Sequence, residues 1–502
     1  MADTSRIRRF AGPEDYTRNF IVQGEIDKYL PGGRHFIDDA RIHALLDGMD
    51  AGAADPVRVR EIVAKSERSC ETLLPEETAE LMKVTDPALF EEMRAAADRI
   101  KHKVYDNRIV VFAPLYMSNL CVNGCRYCGF RDGNSLQKRR VLTMDELRRE
   151  VDVLAGRIGH KRLIAVYGEH PSTSTEYIAE TIETCYATQV KAPKTGAPVG
   201  IRRVNVNAAP LPVADLKVLR SVGIGTFQVF QETYNREKYL QLHPTGPKSN
   251  YEYHTEAMDR AQEGGCDDVG VGVLFGLAGY KYELVGLLMH AEHLEARFGV
   301  GPHTISVPRI CPADDISLDS FPDALPDHIF RKIVAVLRVA VPYTGMIVST
   351  RESVKMREQL LDCGISQVSG GSRTSVGGYT TVERHDETAQ FDVADTRPLD
   401  DVVRWLLDSD HIPSFCTACY REGRTGDRFM SLCKSGKISL CCTPNALMTL
   451  KEYLVDYASP STREAGERMI ARGLGDIPSE KIRSITERHL REIEQGKRDF
   501  RF

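Results

Sequence analysis

At 502 residues the chain exceeds the usual size of one domain, so a large core domain carrying extensions at one or both ends is expected. A hydrophobic share of 42% with 27% charged residues is ordinary for a soluble globular protein, and no run reaches the roughly 18 apolar residues of a membrane span. The net charge of −5 comes with scattered basic residues, which excludes the footprint of a nucleic-acid binder and favours a small substrate or a protein partner.

The opening MADTSRIRRF is basic but leads into no apolar segment, so no secretory signal is expected and the reading is cytoplasmic. In that compartment thiols stay reduced, so thirteen cysteines are not a disulfide framework and their spacing carries the information. Residues 1–105 show apolar positions at helical spacing in HALLDGM, VREIVAKSE and PALFEEMRAAADRI, which predicts an N-terminal helical extension with no chemistry assigned to it. Over 106–385, eight β-rich runs alternate with helical patterns: IVVFAPL, RLIAVYG, RRVNVNA, TFQVFQE, DVGVGVLF, HTISVPR, GMIVSTR and ISQVSGG. Eight β/α units predict an α/β fold, a (βα)8 TIM-type barrel, whose chemistry gathers at the C-terminal ends of the strands. Residues 386–502 break the alternation and read as a separate, helical, cysteine-bearing C-terminal module.

Directly after the first strand stand Cys121, Cys125 and Cys128, spaced CX3CX2C in one loop. Three thiolates so close can cap one face of an iron–sulfur cubane and leave the fourth iron open; a zinc knuckle, the bland alternative, lacks a fourth nearby ligand. With Tyr127 immediately before the third cysteine, the motif resembles that of the radical S-adenosylmethionine (SAM) superfamily, in which SAM chelates the open iron. That resemblance implies reductive cleavage of SAM to a 5′-deoxyadenosyl radical. After the second strand, Gly168 and Glu169 stand where such enzymes receive the methionyl ammonium of SAM, a charge-assisted pairing. Strand alternation puts Arg203, Asn205 and Asn207 on one face, and Asn207, nearest the strand end, is the candidate cofactor contact.

A second set, Cys416, Cys419 and Cys442, has the spacing CX2CX22C and again offers three thiolates. Cys433 and Cys441 could serve a zinc ribbon instead, and they leave the third ligand open at this point. His290 and His293 lie i, i+3 on a predicted helix, a pattern more often structural than ligating.

With both sets placed, the stretches FAPLYMSNLCVNGCRYCGF, VYGEHP, RRVNVNAAPL, GSRTSVGGY, CTACYREGRTGDRFM and CTPNALMTLKEYLVDYA resemble the HydG family of radical SAM tyrosine lyases, which serve [FeFe]-hydrogenase maturation. The resemblance implies a SAM-binding [4Fe-4S] cluster on Cys121, Cys125 and Cys128. It implies an auxiliary [4Fe-4S] cluster on Cys416, Cys419 and Cys442, with an additional labile iron held by a non-protein cysteine and one histidine, assigned to His290. It further implies cleavage of L-tyrosine to p-cresol and dehydroglycine, conversion of the latter to carbon monoxide and cyanide, a low-potential electron donor and hydrogenase maturation proteins as partners. The tyrosine carboxylate needs a cation; of Arg309, Arg351 and Arg373 at strand ends, Arg351 is favoured, with Ser369 as a hydrogen-bond donor. The competing readings are a 2-iminoacetate synthase-type tyrosine lyase without diatomic products, a non-catalytic iron carrier and a zinc-stabilised barrel hydrolase.

Overall fold

A computed structural model describes residues 4–30, 33–313, 316–381 and 388–502. In chain order its strands are β1 (Arg108–Ser118), β2 (Arg162–Tyr167), β3 (Gln189–Lys191), β4 (Pro198–Gly200), β5 (Arg203–Asn207), β6 (Phe227–Gln228), β7 (Val269–Gly272), β8 (Thr304–Ser306), β9 (Gly345–Val348), β10 (Gln367–Ser369) and β11 (Ile412–Ser414). β3 and β4 form a small antiparallel hairpin. The eight strands β1, β2 and β5 to β10 run parallel, and pairing of Val111 with Val368 joins β1 to β10 and closes the barrel. All eight lie where the alternation of β-rich and helical sequence predicts them. β6 and β8 are only two and three residues long, because the chain beyond them leaves the ladder to line the barrel mouth.

The crossover helices follow their sequence patterns with two local departures. The helix Met144–Val151, opened by a capping box between Thr143 and Glu146, widens into a π-helical turn over Asp152–Ile158. The helical sequence YEYHTEAMDRAQEGG is broken at Glu256 into the helices Tyr251–Thr255 and Ala257–Glu263.

The flanking segments share the barrel's core. One continuous set of buried side chains runs from Tyr16 to Ile493, each large apolar member contributing roughly 1.5–3 kcal/mol of burial. Beyond the barrel, β11 pairs with the start of β1, Ile412 opposite Arg108, and so brings the loop carrying Cys416 and Cys419 to the N-terminal end of the barrel. The helix Ser439–Asp456, which carries Cys442, is buried along most of its length. The expected boundary at 385/386 lies outside the described residues. Among the described residues, no helix is long and apolar enough to cross a membrane.

Inside the barrel, Phe112, Ile164 and Ile347 form a small apolar layer separate from the main core. Above it, towards the C-terminal strand ends, lies a cavity of about 250 Å3.

Candidate active site and a second thiol site

The cavity is lined by Cys121, Cys125, Cys128, Tyr127, Gly168, Glu169, Asn207, Arg351 and Ser369, so tertiary structure brings nine of the sequence-predicted residues together. The loop 121–128 is drawn over the end of β2: the Val122 amide donates to the Glu169 carbonyl (2.8 Å), and the Gly168 amide donates to the Ser118 carbonyl (3.0 Å). Gly168 has no room for a side chain, because a Cβ there would sit 2.1 Å from the Leu120 carbonyl oxygen. Gly168→Ala is therefore expected to push the loop off the strand end at a cost of about 1–3 kcal/mol and to weaken SAM binding; thermal melting beside equilibrium SAM binding checks both effects.

The Glu169 carboxylate is buried and held from two sides. Asn123 Nδ2 donates to Oε2 (2.6 Å), and the Tyr16 hydroxyl donates to Oε1 (3.3 Å). Burial pushes its carboxyl up to about 7, opposed by the Asn123 bond, the nearby Lys248 charge and the Tyr16 bond. Asn123 also accepts the Lys248 amide (2.9 Å), while Lys248 Nζ pairs with Glu232 (3.0 Å). Glu232 sits in the left-handed region at φ +68°, an uncommon conformation for a non-glycine residue and one found at functional sites. The Tyr127 hydroxyl is tied to His243 Nε2 (2.8 Å).

The predicted substrate residues differ in placement. Arg351 lies over the Phe391 ring, and its buried Nε has no hydrogen-bond partner among the described residues, which leaves it open to an anion in the cavity. Ser369 Oγ accepts the Thr350 amide (3.0 Å) and so supports the turn that carries Arg351. Arg309 does not line the cavity, because Glu352 and Asp327 take up its guanidinium (2.5–3.0 Å) against the Phe330 ring.

The second thiol set lies at the opposite end of the barrel. Cys419 lies beside Cys442 and Arg424, and Arg108, the first residue of β1, lies beside Cys442. The neighbouring Cys419 thiol, and after it the Arg108 and Arg424 charges, draw the Cys442 thiol well below its usual range against the opposing effect of burial. The Ala418 amide donates to Cys416 Sγ (3.4 Å), and Arg108 and Arg162 are its cationic neighbours. Cys442 faces this set, while Cys441 is half-exposed beside it.

Among the described residues, no three His, Cys, Asp or Glu groups converge tightly enough to hold a single metal ion, so the fit of each thiol set to a cluster rests on its surroundings. Around the second set those surroundings are distinctive. Among the described residues, Arg108 Nε and Nη2, Arg162 Nε and Arg424 Nε, on the three arginines beside these thiols, are buried without a hydrogen-bond partner. Buried donors are ordinarily satisfied, so this concentration fits an anionic group such as a thiolate-bound iron–sulfur cluster.

His290 is buried on the helix Tyr280–Phe298 with Nδ1 bonded to the Tyr234 hydroxyl (2.8 Å), its ring against Phe36 and its Nε2 without a hydrogen-bond partner among the described residues; none of these neighbours belongs to the second thiol set. His303, immediately before β8, lies beside the segment that carries Cys419: its Nε2 is 3.3 Å from the Tyr420 hydroxyl, and its buried Nδ1 has no hydrogen-bond partner among the described residues. No sequence signal marks His303 apart from its position at the start of the HTISVPR strand. Asn123 lay inside the first motif, and Tyr16 in a segment given no chemistry.

The radical SAM superfamily model matches residues 115–290, from β1 through most of the helix after β7, and the Biotin and Thiamin Synthesis associated domain matches 306–412. A 2-iminoacetate synthase from Salmonella typhimurium is 30% identical over 330 residues, 63% of this chain and 81% of that one. Barrel, thiol loop and these matches agree, and the chain is a radical SAM enzyme. Two solved structures narrow the class. A crystal structure of HydG, a maturase of the [FeFe]-hydrogenase, is 51% identical, covers 93% of this chain and 100% of its own, and superposes with a TM-score of 0.88; HydG from Carboxydothermus hydrogenoformans is 36% identical over 91% and 98%, with a TM-score of 0.75. The chain belongs to the HydG family.

Proposed function

We propose that this enzyme cleaves L-tyrosine to p-cresol and dehydroglycine and converts dehydroglycine to carbon monoxide and cyanide at the second thiol site, building an iron synthon for the [FeFe]-hydrogenase. The observation that carries the reading is the second thiol triplet at the far end of the barrel, ringed by unpartnered cationic donors. When bound, the first cluster would supply the electron that cleaves SAM, and the second, with its labile iron and non-protein cysteine, the metal surface for the diatomic products.

The chain's own residues bind and orient. Cys121, Cys125 and Cys128 hold the first cluster; Glu169 receives the SAM ammonium, and Asn207 and Tyr127 line the cofactor's place. Arg351 grips the tyrosine carboxylate with the otherwise unpartnered edge of its guanidinium. Cys416, Cys419 and Cys442 hold the second cluster, and His303 replaces His290 as the histidine for the labile iron. His303→Ala is expected to remove carbon monoxide while p-cresol persists. His290→Ala, which loses only buried packing and one hydrogen bond, is expected to lower thermal stability by about 2 kcal/mol and keep the product ratio.

In this organisation residues 106–385 form the barrel domain, 1–105 the N-terminal extension and 386–502 the auxiliary-cluster domain, working in the cytoplasm with a low-potential electron donor and maturation proteins. Anaerobic turnover of reconstituted enzyme with SAM, reductant and tyrosine tests the reading. It predicts 5′-deoxyadenosine, p-cresol and carbon monoxide together; p-cresol without carbon monoxide would instead mark a 2-iminoacetate synthase-type lyase.

A further inference from the structure

The N-terminal extension reaches the active site through one side chain. The segment around the short helix Pro13–Asn19 is fastened by Arg8, which donates to the Asn19 carbonyl (3.0 Å) and the Phe20 carbonyl, and by an ion pair between Arg9 and Glu176 (3.5 Å). Its aromatic residues interlock: Tyr16 stacks on Phe20 at 4.4 Å, Phe10 meets Tyr16 edge-on at 5.0 Å, and Phe20 meets Tyr253 edge-on at 6.0 Å. These contacts hold the Tyr16 ring, only 7% exposed, so that its hydroxyl meets Glu169 Oε1 at 3.3 Å, beside Cys121. Among the described residues the hydroxyl makes no other side-chain hydrogen bond.

We propose that Tyr16 is a positioning residue for SAM, its hydroxyl and the Asn123 amide holding the two oxygens of Glu169 so that the carboxylate faces the cofactor's ammonium. A buried carboxylate without donors would turn towards whatever polar group it could reach, and each donor it keeps removes one such alternative. Asn123 belongs to the thiol loop itself, whereas Tyr16 comes from 153 residues earlier in the chain, so the N-terminal segment acts as a strap over the ammonium edge of the cavity. The role of Tyr16 rests on the reading of Glu169 as the group that receives SAM.

The test is equilibrium binding of SAM to reconstituted, anaerobic Tyr16→Phe, Glu169→Gln and double-variant enzymes, with KM and kcat for 5′-deoxyadenosine formation alongside. Phenylalanine keeps the stack with Phe20 and removes only the hydroxyl. Tyr16→Phe is expected to raise the Kd and KM for SAM about tenfold and leave kcat within about twofold. In the Glu169→Gln background the same change is expected to add nothing, because Tyr16 acts through that carboxylate. Unchanged SAM affinity in Tyr16→Phe, or additive losses in the double variant, overturns the proposal while Glu169 keeps its role. Unchanged SAM affinity in Glu169→Gln overturns the reading of Glu169 itself, and the role of Tyr16 with it.

Discussion

A Cys416→Ala/Cys419→Ala variant is expected to lose carbon monoxide and cyanide entirely while 5′-deoxyadenosine and p-cresol continue to form. The separation of the two sites is the reason. The thiols at 121, 125 and 128 line the cavity at the C-terminal strand ends, whereas Cys416 and Cys419 lie beside Arg108 and Arg162, which open β1 and β2 at the other end. The Phe112, Ile164 and Ile347 layer stands between them. Removing two of three thiolates leaves Cys442 alone beside Arg108 and Arg424 and removes the thiolates that the proposed cluster needs. If the second thiol set holds the proposed auxiliary cubane, iron bound per chain should then fall by roughly half. The variant should also melt earlier than the loaded parent, because bound ligands stabilise the folded state by mass action. Iron analysis, product assays and melting curves on the same preparation check all three; carbon monoxide at parental levels would remove the second site from the mechanism.

Cys125→Ala is expected to have the opposite scope: 5′-deoxyadenosine, p-cresol and carbon monoxide all fall to background together. Cys125 is 5% exposed and packs against Leu274, Leu277 and Ile310, and its loss leaves only Cys121 and Cys128 to hold the first cluster. Deleting one sulfur from this small apolar patch costs on the order of 1 kcal/mol, so the fold survives and the loss is chemical. Cys185 makes the control. It is fully buried in the main core away from both thiol sets, so Cys185→Ala should lower the melting temperature comparably and leave all products in place. Persistent 5′-deoxyadenosine in Cys125→Ala would remove this loop as the seat of radical generation.

The first thiol site was readable from sequence because its three cysteines fall within eight residues of a single loop, so local spacing already states the geometry. The barrel was readable because a two-residue period alternates with a helical one eight times over. The choice among strand-end arginines was not readable. Arg309 and Arg351 both follow strands, and what separates them is that Glu352 and Asp327 neutralise one while the other keeps an unpartnered nitrogen over Phe391. Which histidine comes near the second thiols was not readable for a related reason. His290 and His293 share a helix face, as their spacing predicts, but that face packs on Phe36, while His303 meets Tyr420 only because β11 pairs beside β1 and carries the 416–421 loop under the barrel.

By itself, then, the sequence determined the repeating β/α architecture and both cysteine spacings, since these depend on near neighbours in the chain. Only the tertiary structure decided which end of the barrel each thiol set occupies, which buried charges lack partners, and that Tyr16 reaches Glu169. Those outcomes depend on contacts between residues a hundred or more positions apart, where no local periodicity constrains which side chains meet.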